Sequence, residues 1–297
     1  MIEDLPIIET LILSQGGSRC DLLPLVGGSI GAWSVRGQAM LRPTRGACNE
    51  ARDPYATAGF PLVPFSNRVG GGRFEWNGKI QTLAQNFPPE PHAIHGVGFE
   101  RPWLVQTRTS NSALLVLRHQ PDSGWPWAFE ARQRITVGDD SLTLDLSATN
   151  LESSAVPLAI GHHPYLPRAG ARLTFHAERV WLLGEDRLPS EQVAPSGKFD
   201  FSKGAPVERA DIDHCYCGWG RAAYVTWRDE PRVLEISASI ELPCVVVYSC
   251  ADLDEFCFEP VAHVNDALNR REPEFVMPVV APGESFSASI RFRAIKR

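Results

Sequence analysis

The sequence has 297 residues, with 29 Lys and Arg against 35 Asp and Glu, and so a formal net charge of −6. Apolar residues make up 43% of the chain, which is enough for a sizeable core and excludes intrinsic disorder. The mild acidity argues against nucleic acid or an anionic membrane as a partner. A chain of this length fits one large domain, and we expect residues 1–297 to form it.

Neither a membrane span nor an export signal is predicted. No stretch approaches the roughly 18 apolar residues of a membrane helix, and Met1–Asp4 is acidic where a signal peptide is basic. The seven cysteines include no C-x-x-C pair, so neither a disulfide framework nor a zinc ribbon is expected. We therefore predict a cytoplasmic protein with reduced thiols, most of them small core residues.

In chain order, the first clear element is a hairpin. Asn77-Gly78 separates Arg73–Trp76 from Lys79–Leu83, and both turn positions favour positive φ. Alternation of apolar and polar residues then predicts strands that each bury one face. These strands are predicted at residues 113–117, 132–137, 142–149, 223–227, 232–238, 244–249 and 286–294, with a turn over residues 137–141.

No helical period is sustained over three turns. Glycine and proline number 24 each, and such frequent chain breaks suit many short strands better than long helices. The sequence therefore predicts an all-β fold, a large antiparallel β-sandwich. The patterns do not give the order of the strands.

Four segments interrupt the strand pattern and place ionisable residues among aromatics, glycine and proline. Such segments are typical of rigid loops or strand ends that line a pocket. They span residues 60–72, 92–103, 161–166 and 256–269.

Glu259 lies between Phe258 and Pro260, after an apolar run. A carboxylate in such surroundings is either paired or desolvated, and desolvation raises its pKa toward neutrality. The desolvated state suits a general base. The other interpretation is a buried carboxylate that only satisfies backbone N–H groups or an arginine, and the residue alone does not decide between them.

His162 and His163 share a turn that begins at Gly161. Adjacent residues of an extended chain point to opposite faces, so only one of them can enter a given pocket. Imidazole titrates near neutral pH and can donate or accept a proton there, although a hydrogen-bonded structural histidine is the more common case. The same two interpretations hold for His95.

Arg68 precedes a glycine run, which lets the backbone approach a ligand while the guanidinium points toward it. The ordinary alternative is an arginine exposed to solvent.

Other chemistries lack their sequence patterns. The chain has no G-x-S-x-G elbow and no phosphate-binding glycine loop. His162, His163, Glu259 and His263 are able to ligate a metal, but no defined metal spacing is present. We predict no metal and no cofactor.

Taken in order, the four segments resemble the aldose 1-epimerase (galactose mutarotase) family. Asn67-Arg68 followed by Gly72-Arg73-Phe74 is similar to the family's N-R-(I/V)-x-x-G-R-F segment, and His95-Gly96 to its histidine–glycine segment. His163-Pro164-Tyr165 is similar to its H-x-Y-F motif, and Glu259-Pro260 with Asn265-Asp266 to its C-terminal glutamate motif. Each motif is weak alone, but four in register are specific.

The resemblance implies a β-supersandwich and the interconversion of the α and β anomers of a free sugar. By motif, Glu259 is the base at the C1 hydroxyl and His163 the acid at the ring oxygen, on opposite sides of the ligand. His95 and Arg68 would bind sugar oxygens, and Asn67 and Asp213 match further substrate-binding positions. The implied partner is a small sugar, and the chain is expected to be a monomer or a homodimer.

Several alternatives stay open. His162 competes with His163 for the role of the acid. A hexose-6-phosphate epimerase of the same fold would need basic residues at the phosphate, for which Arg73 and Arg101 are candidates. A non-catalytic sugar-binding protein would keep Arg68 and His95 without exchanging anomers. The sequence does not give the identity of the sugar.

Overall fold

The computed structural model describes residues 9–46, 52–209, 211–228, 230–271 and 277–296. Met1–Asp4 and Cys48 lie outside these residues. Across the described ranges the regular structure is strands and short 3-10 turns, without an α-helix. No helical turn in these ranges is long and apolar enough to cross a membrane.

Strands follow one another along the whole described chain. The first thirteen are β1 (Leu11–Gln15), β2 (Ser18–Leu23), β3 (Ser29–Val35), β4 (Gln38–Ala39), β5 (Gly59–Leu62), β6 (Arg68–Val69), β7 (Arg73–Trp76), β8 (Lys79–Thr82), β9 (Ala93–Ile94), β10 (Leu104–Arg108), β11 (Ser112–His119), β12 (Phe129–Val137) and β13 (Ser141–Asn150). The next thirteen are β14 (Val156–Pro157), β15 (Gly161–Pro167), β16 (Ala171–Phe175), β17 (Arg179–Leu183), β18 (Pro189–Val193), β19 (Ala205–Pro206), β20 (Ile212–Cys217), β21 (Ala222–Trp227), β22 (Arg232–Ala238), β23 (Cys244–Ser249), β24 (Glu255–Val261), β25 (Val279–Val280) and β26 (Ser285–Lys296). The 3-10 turns are Pro54–Ala56, Gly70–Gly72, Gly98–Glu100, Gly197–Phe199, Val207–Arg209 and Ala267–Asn269.

Two large antiparallel sheets dominate the described structure. The first sheet has the order β1-β2-β3-β5-β15-β24-β23-β20-β17-β18, with β4 beside β3, and the second has the order β10-β11-β12-β13-β26-β22-β21-β16-β19. Three small ladders join β6 to β9, β7 to β8 and β14 to β25. The predicted all-β class is therefore confirmed.

The strands predicted from alternation are all present. In β13 the apolar residues of 142–149 are buried and face one continuous core that both sheets share. Trp33 of the first sheet, for example, contacts Phe292 of the second, with ring centroids 6.2 Å apart. The Asn77-Gly78 hairpin also forms, with positive φ at both residues, between β7 and β8.

The middle of the first sheet positions the polar residues. The neighbouring pairs Gly161–Val261 and Tyr165–Cys257 place His163 of β15 directly opposite Glu259 of β24. Because directly opposed residues share a face of a sheet, His163 and Glu259 point to the same side. Asp213 of β20 is on this face too. It pairs with Tyr248 of β23, and Tyr248 pairs with Cys257 of β24, which shares its face with Glu259 two residues further on.

Candidate active site

His163 and Glu259 contact each other at the centre of this face. Nε2 of His163 lies 3.4 Å from Oε1 of Glu259, and the two side chains are only 8% and 3% exposed. The expectation that a sugar ring fits between them is wrong for this arrangement, because opposed positions on adjacent strands bring their side chains together. A ligand would instead meet both groups from one side.

Burial controls the protonation of this pair. The pKa of Glu259 is raised well above its usual value, first by desolvation and then by the nearby negative charge of Asp213, while Arg68 opposes the shift. Desolvation also lowers the pKa of His163 to about 3. A carboxylate and an imidazolium are both disfavoured here, and because the two groups are in contact their titration belongs to the pair rather than to either residue alone.

Arg68, whose charge acts on Glu259, binds two further carboxylates. Its Nε and Nη2 donate to Oε2 and Oε1 of Glu90 at 2.7 and 2.8 Å, and its Nη1 donates to Oδ2 of Asp213 at 3.2 Å. The bidentate pair with Glu90 fixes the guanidinium plane and lowers the pKa of Glu90. Glu90 also binds a second arginine, since Nη1 of Arg187 donates to its Oε1 at 3.3 Å.

Asn67 and His95 hold each other in the left-handed region, with φ of 57° and 61°. The backbone N–H of Asn67 donates to Nδ1 of His95 at 3.2 Å, and the backbone N–H of His95 donates to the carbonyl oxygen of Asn67 at 3.0 Å. Because Nδ1 accepts, the proton of the neutral imidazole lies on Nε2. Oδ1 of Asn67 accepts from the backbone N–H of Arg68 at 2.9 Å and from its Nη1 at 3.3 Å.

The glycine after His95 is required by its surroundings. Gly96 has φ +73°, and a Cβ there would lie 2.3 Å from the carbonyl oxygen of Val63. Any side chain would push apart the two segments that carry Asn67 and His95. This contact explains why the sequence places glycine next to the histidine.

Aromatic residues pack against the ring of His163. Phe60 stacks on His163 with centroids 4.8 Å apart, and Tyr165 lies 4.7 Å from the same ring. Phe65, Phe99 and Trp103 are about 1% exposed and belong to the core. These three aromatic residues of the four segments are therefore not available to stack on a bound sugar.

The structure brings together all six residues singled out as catalytic or substrate-binding. The chain of contacts runs from His163 to Glu259, and from Arg68 to Asp213, Asn67 and, through Asn67, His95. His162 points away from them, into the core beside Phe292. Its neighbour His163 is therefore the histidine that faces Glu259.

Glu90 was missed by the sequence analysis. It lies in the proline-rich stretch Phe87–Pro91, outside the four segments that the sequence analysis singled out. The sequence did offer one signal for Glu90, a single carboxylate between Pro89 and Pro91 in an otherwise apolar stretch. The sequence did not show which arginine would pair with it. The structure supplies that partner, Arg68.

The four residues considered as metal ligands do not gather in one place. Both ring nitrogens of His263 are engaged, Nε2 by the Ser66 N–H at 3.2 Å and Nδ1 by the Val264 carbonyl at 2.8 Å. A different trio, His163, Cys257 and Glu259, has ligand atoms within 4.8 Å of one another. Burial raises the pKa of the Cys257 thiol well above its usual value, which disfavours the thiolate that a metal requires.

Comparison with known proteins gives a consistent result. Residues 9–293 match the sequence model of the family described as aldose 1-epimerase. The uncharacterized protein YphB of Escherichia coli strain K12 is 30% identical over 293 residues, which cover 95% of this chain and 97% of that protein. A galactose mutarotase-like protein of Clostridium acetobutylicum is 19% identical, with a TM-score of 0.87 over 99% of this chain and 98% of its own.

A galactose 1-epimerase of Lactobacillus acidophilus NCFM also shares the fold, at 17% identity, with a TM-score of 0.79 over 97% of this chain and 93% of its own. These two structural likenesses concern the fold alone. The family model, in contrast, spans nearly the whole sequence, including every residue of the site. The chain belongs to the aldose 1-epimerase family.

Proposed function

We propose that the protein interconverts the α and β anomers of a free, uncharged aldose. The contact between His163 and Glu259 supports this proposal most directly. Ring opening needs a proton removed from the C1 hydroxyl and a proton delivered to the ring oxygen. Both oxygens are bonded to C1 and are therefore adjacent, so an acid and a base in mutual contact serve them from one side.

In the proposed reaction Glu259 removes the proton from the C1 hydroxyl while His163 protonates the ring oxygen. The ring opens, the C1–C2 bond rotates, and closure on the other face of the aldehyde returns both protons. After opening, the proton of the pair has moved from His163 to Glu259, and closure moves it back. Both protonation states are used in each cycle, and no net proton is taken up.

Substrate binding prepares the starting state. Oε2 of Glu259 is buried and makes no hydrogen bond to any described residue. A sugar hydroxyl that donates to this oxygen stabilises the carboxylate, lowers its pKa and drives the shared proton to His163. The unpaired oxygen thus gives a specific place for the C1 hydroxyl.

The surrounding residues would orient the sugar. The Nε2–H of His95 is a donor for a sugar oxygen, and its ring centroid lies 5.2 Å from that of His163. Arg68 and Asp213 supply a donor and an acceptor for further hydroxyls. Asn67 would act as a positioning residue, because its polar atoms are directed at Arg68 and His95.

Charge favours an uncharged sugar over a sugar phosphate. The guanidinium of Arg68 already faces Glu90 and Asp213. Of the two candidates for a phosphate site, Arg101 is paired with Asp122, and Arg73 lies exposed on the hairpin strand β7. The carboxylates around the pair would repel a phosphate.

We also propose that residues 1–297 act as one domain, since both sheets bury one common core.

Anomer-resolved NMR exchange, measured across a panel of aldoses and their 6-phosphates, tests this proposal. We expect at least one free aldose to exchange far faster with the protein than without it, and its 6-phosphate to exchange more slowly. Saturable binding without exchange would instead identify a sugar-binding protein. Faster exchange of the phosphate would favour the phosphate epimerase.

A further inference from the structure

Three cysteines meet on the same sheet face as the site, toward the far end of β20. Cys215 and Cys217 are alternate residues of β20, and Cys244 begins the neighbouring strand β23. The three sulfur atoms all lie within 4.8 Å of one another. We call this group the thiol cluster. It has no part in the proposed exchange of sugar anomers, and its own chemistry does not depend on that reaction.

Cys217 and Cys244 are directly opposed in the β20–β23 ladder, and their sulfur atoms are 2.8 Å apart. Opposed residues of antiparallel strands have Cα atoms about 4.5 to 5.5 Å apart. A disulfide requires a Cα separation of about 4.4 to 6.8 Å. The backbone therefore already has the spacing that a bond between these two sulfurs needs.

Cys217 is the thiol best suited to attack an oxidant. Hydrogen bonds from Cys215 and Cys244, with a further one from the Trp181 indole, lower the pKa of the Cys217 thiol, and burial opposes the shift. In contrast, burial raises the pKa of Cys20 and of Cys257. Reactivity of a cysteine follows its thiolate fraction and its access to solvent.

Access to the cluster is provided by a cavity of about 400 Å³. Cys217 and Cys244 line it together with Arg179, which is opposite Cys217 in the β17–β20 ladder. Cys217 is half-buried, whereas Cys215 is fully buried behind it. A small oxidant that enters this cavity meets Cys217 and Cys244 and no other cysteine of the described residues.

We infer that Cys217 and Cys244 form an oxidant-reactive pair, which a peroxide converts into a cross-strand disulfide. The Cys217 thiolate attacks one peroxide oxygen, the O–O bond breaks, and the departing hydroxide takes a proton and leaves as water. The Cys244 thiol then attacks the sulfur of the Cys217 sulfenic acid and gives up its proton as the S–S bond forms, and the S–O bond breaks with the hydroxide taking that proton and leaving as a second water. The two thiols together lose two electrons, and hydrogen peroxide gains them.

Peptide mapping of the reduced full-length protein after treatment with hydrogen peroxide tests this inference. We expect a Cys217–Cys244 linked peptide that dithiothreitol removes. In Cys244→Ser, the Cys217 sulfenic acid should persist and react with dimedone, whereas Cys217→Ser should leave Cys244 reduced. Cys250→Ser, which changes a half-buried cysteine outside the cluster, should form the link as the parent does.

A measurement on the unmodified chain keeps the test independent of how the variants fold. Under native conditions at neutral pH, iodoacetamide should label Cys217 at least about tenfold faster than Cys20 or Cys257. Equal labelling of these three cysteines would overturn the inference. So would peroxide treatment that leaves Cys217 and Cys244 unlinked, or that links either of them to a cysteine outside the cluster.

Discussion

Nε2 of His163 lies 3.4 Å from Oε1 of Glu259, although the two residues are far apart in the chain. The contact follows from strand order, because β15 and β24 are neighbours and these residues are opposite each other in the ladder. It depends on backbone register rather than on loop conformation. A pair built this way is aligned by the sheet itself, as the proposed removal of one proton from the C1 hydroxyl and delivery of another to the ring oxygen requires.

Glu259→Gln keeps the shape of the side chain and removes its ability to accept a proton. We expect kcat for anomer exchange to fall by about 10² to 10⁴, the usual contribution of one positioned acid or base. NMR exchange on the preferred aldose measures the effect. Glu130→Gln is the matched control, because Glu130 is also buried but lies in the second sheet beside Arg118 and Arg132. Activity of Glu259→Gln within tenfold of the parent would remove Glu259 from the mechanism.

The shared proton predicts an unusual pH profile. With the pKa of His163 lowered to about 3, kcat/KM should show no loss from protonation of this histidine between pH 7 and pH 5. The alkaline limb should arise from the pair losing its proton, at a pH set by the raised pKa of Glu259. The profile of kcat/KM against pH provides the measurement. A limb centred near pH 6.5 that disappears in His163→Gln would contradict this assignment.

The sequence predicted which face of each strand is buried, but not which strands lie next to each other. Alternation in 142–149 and 286–294 located β13 and β26, because a period of two reports which side chains are buried. It contains no information on which strand pairs with which, so the contact of His163 with Glu259 was not available from the patterns. The opposite orientations of His162 and His163 did follow from alternation, but which of them faces Glu259 required the position of β24.

Two neighbouring charges should move the pKa of Glu259 in opposite directions. Asp213 raises this pKa and Arg68 lowers it. Asp213→Asn should therefore lower the pKa of Glu259, and Arg68→Gln should raise it. Carboxyl NMR of the labelled protein without ligand reads the pKa directly, so the result does not depend on sugar binding.

Arg68→Gln also leaves Glu90 and Asp213 without their shared partner, so we expect it to destabilise the fold more than Asp213→Asn does. Thermal unfolding compares the two variants and identifies the temperature range in which both are folded. Shifts of the same sign in the two variants, recorded in that range, would show that changes in solvation rather than these charges set the pKa of Glu259.

His162 links pH to stability and not to catalysis. It is fully buried on the core side of β15, and desolvation lowers its pKa to about 3, against about 6.5 in an unfolded chain. Because the unfolded state alone takes up this proton, the stability that His162 contributes is lost as pH falls from 6.5 toward 3. From pH 7 to pH 5 the loss for this group is about 2 kcal/mol, at 1.36 kcal/mol for each pKa unit.

His162→Leu should remove that loss and leave kcat within about twofold of the parent, since the side chain contacts the core and not the site. Urea unfolding at pH 7 and pH 5 gives the two free energies of unfolding, and their difference should shrink by about 2 kcal/mol in the variant. Replacing His176, which is exposed, serves as the control and should leave that difference as it is in the parent. A large fall in kcat for His162→Leu, with the unfolding difference unchanged, would make His162 rather than His163 the candidate acid.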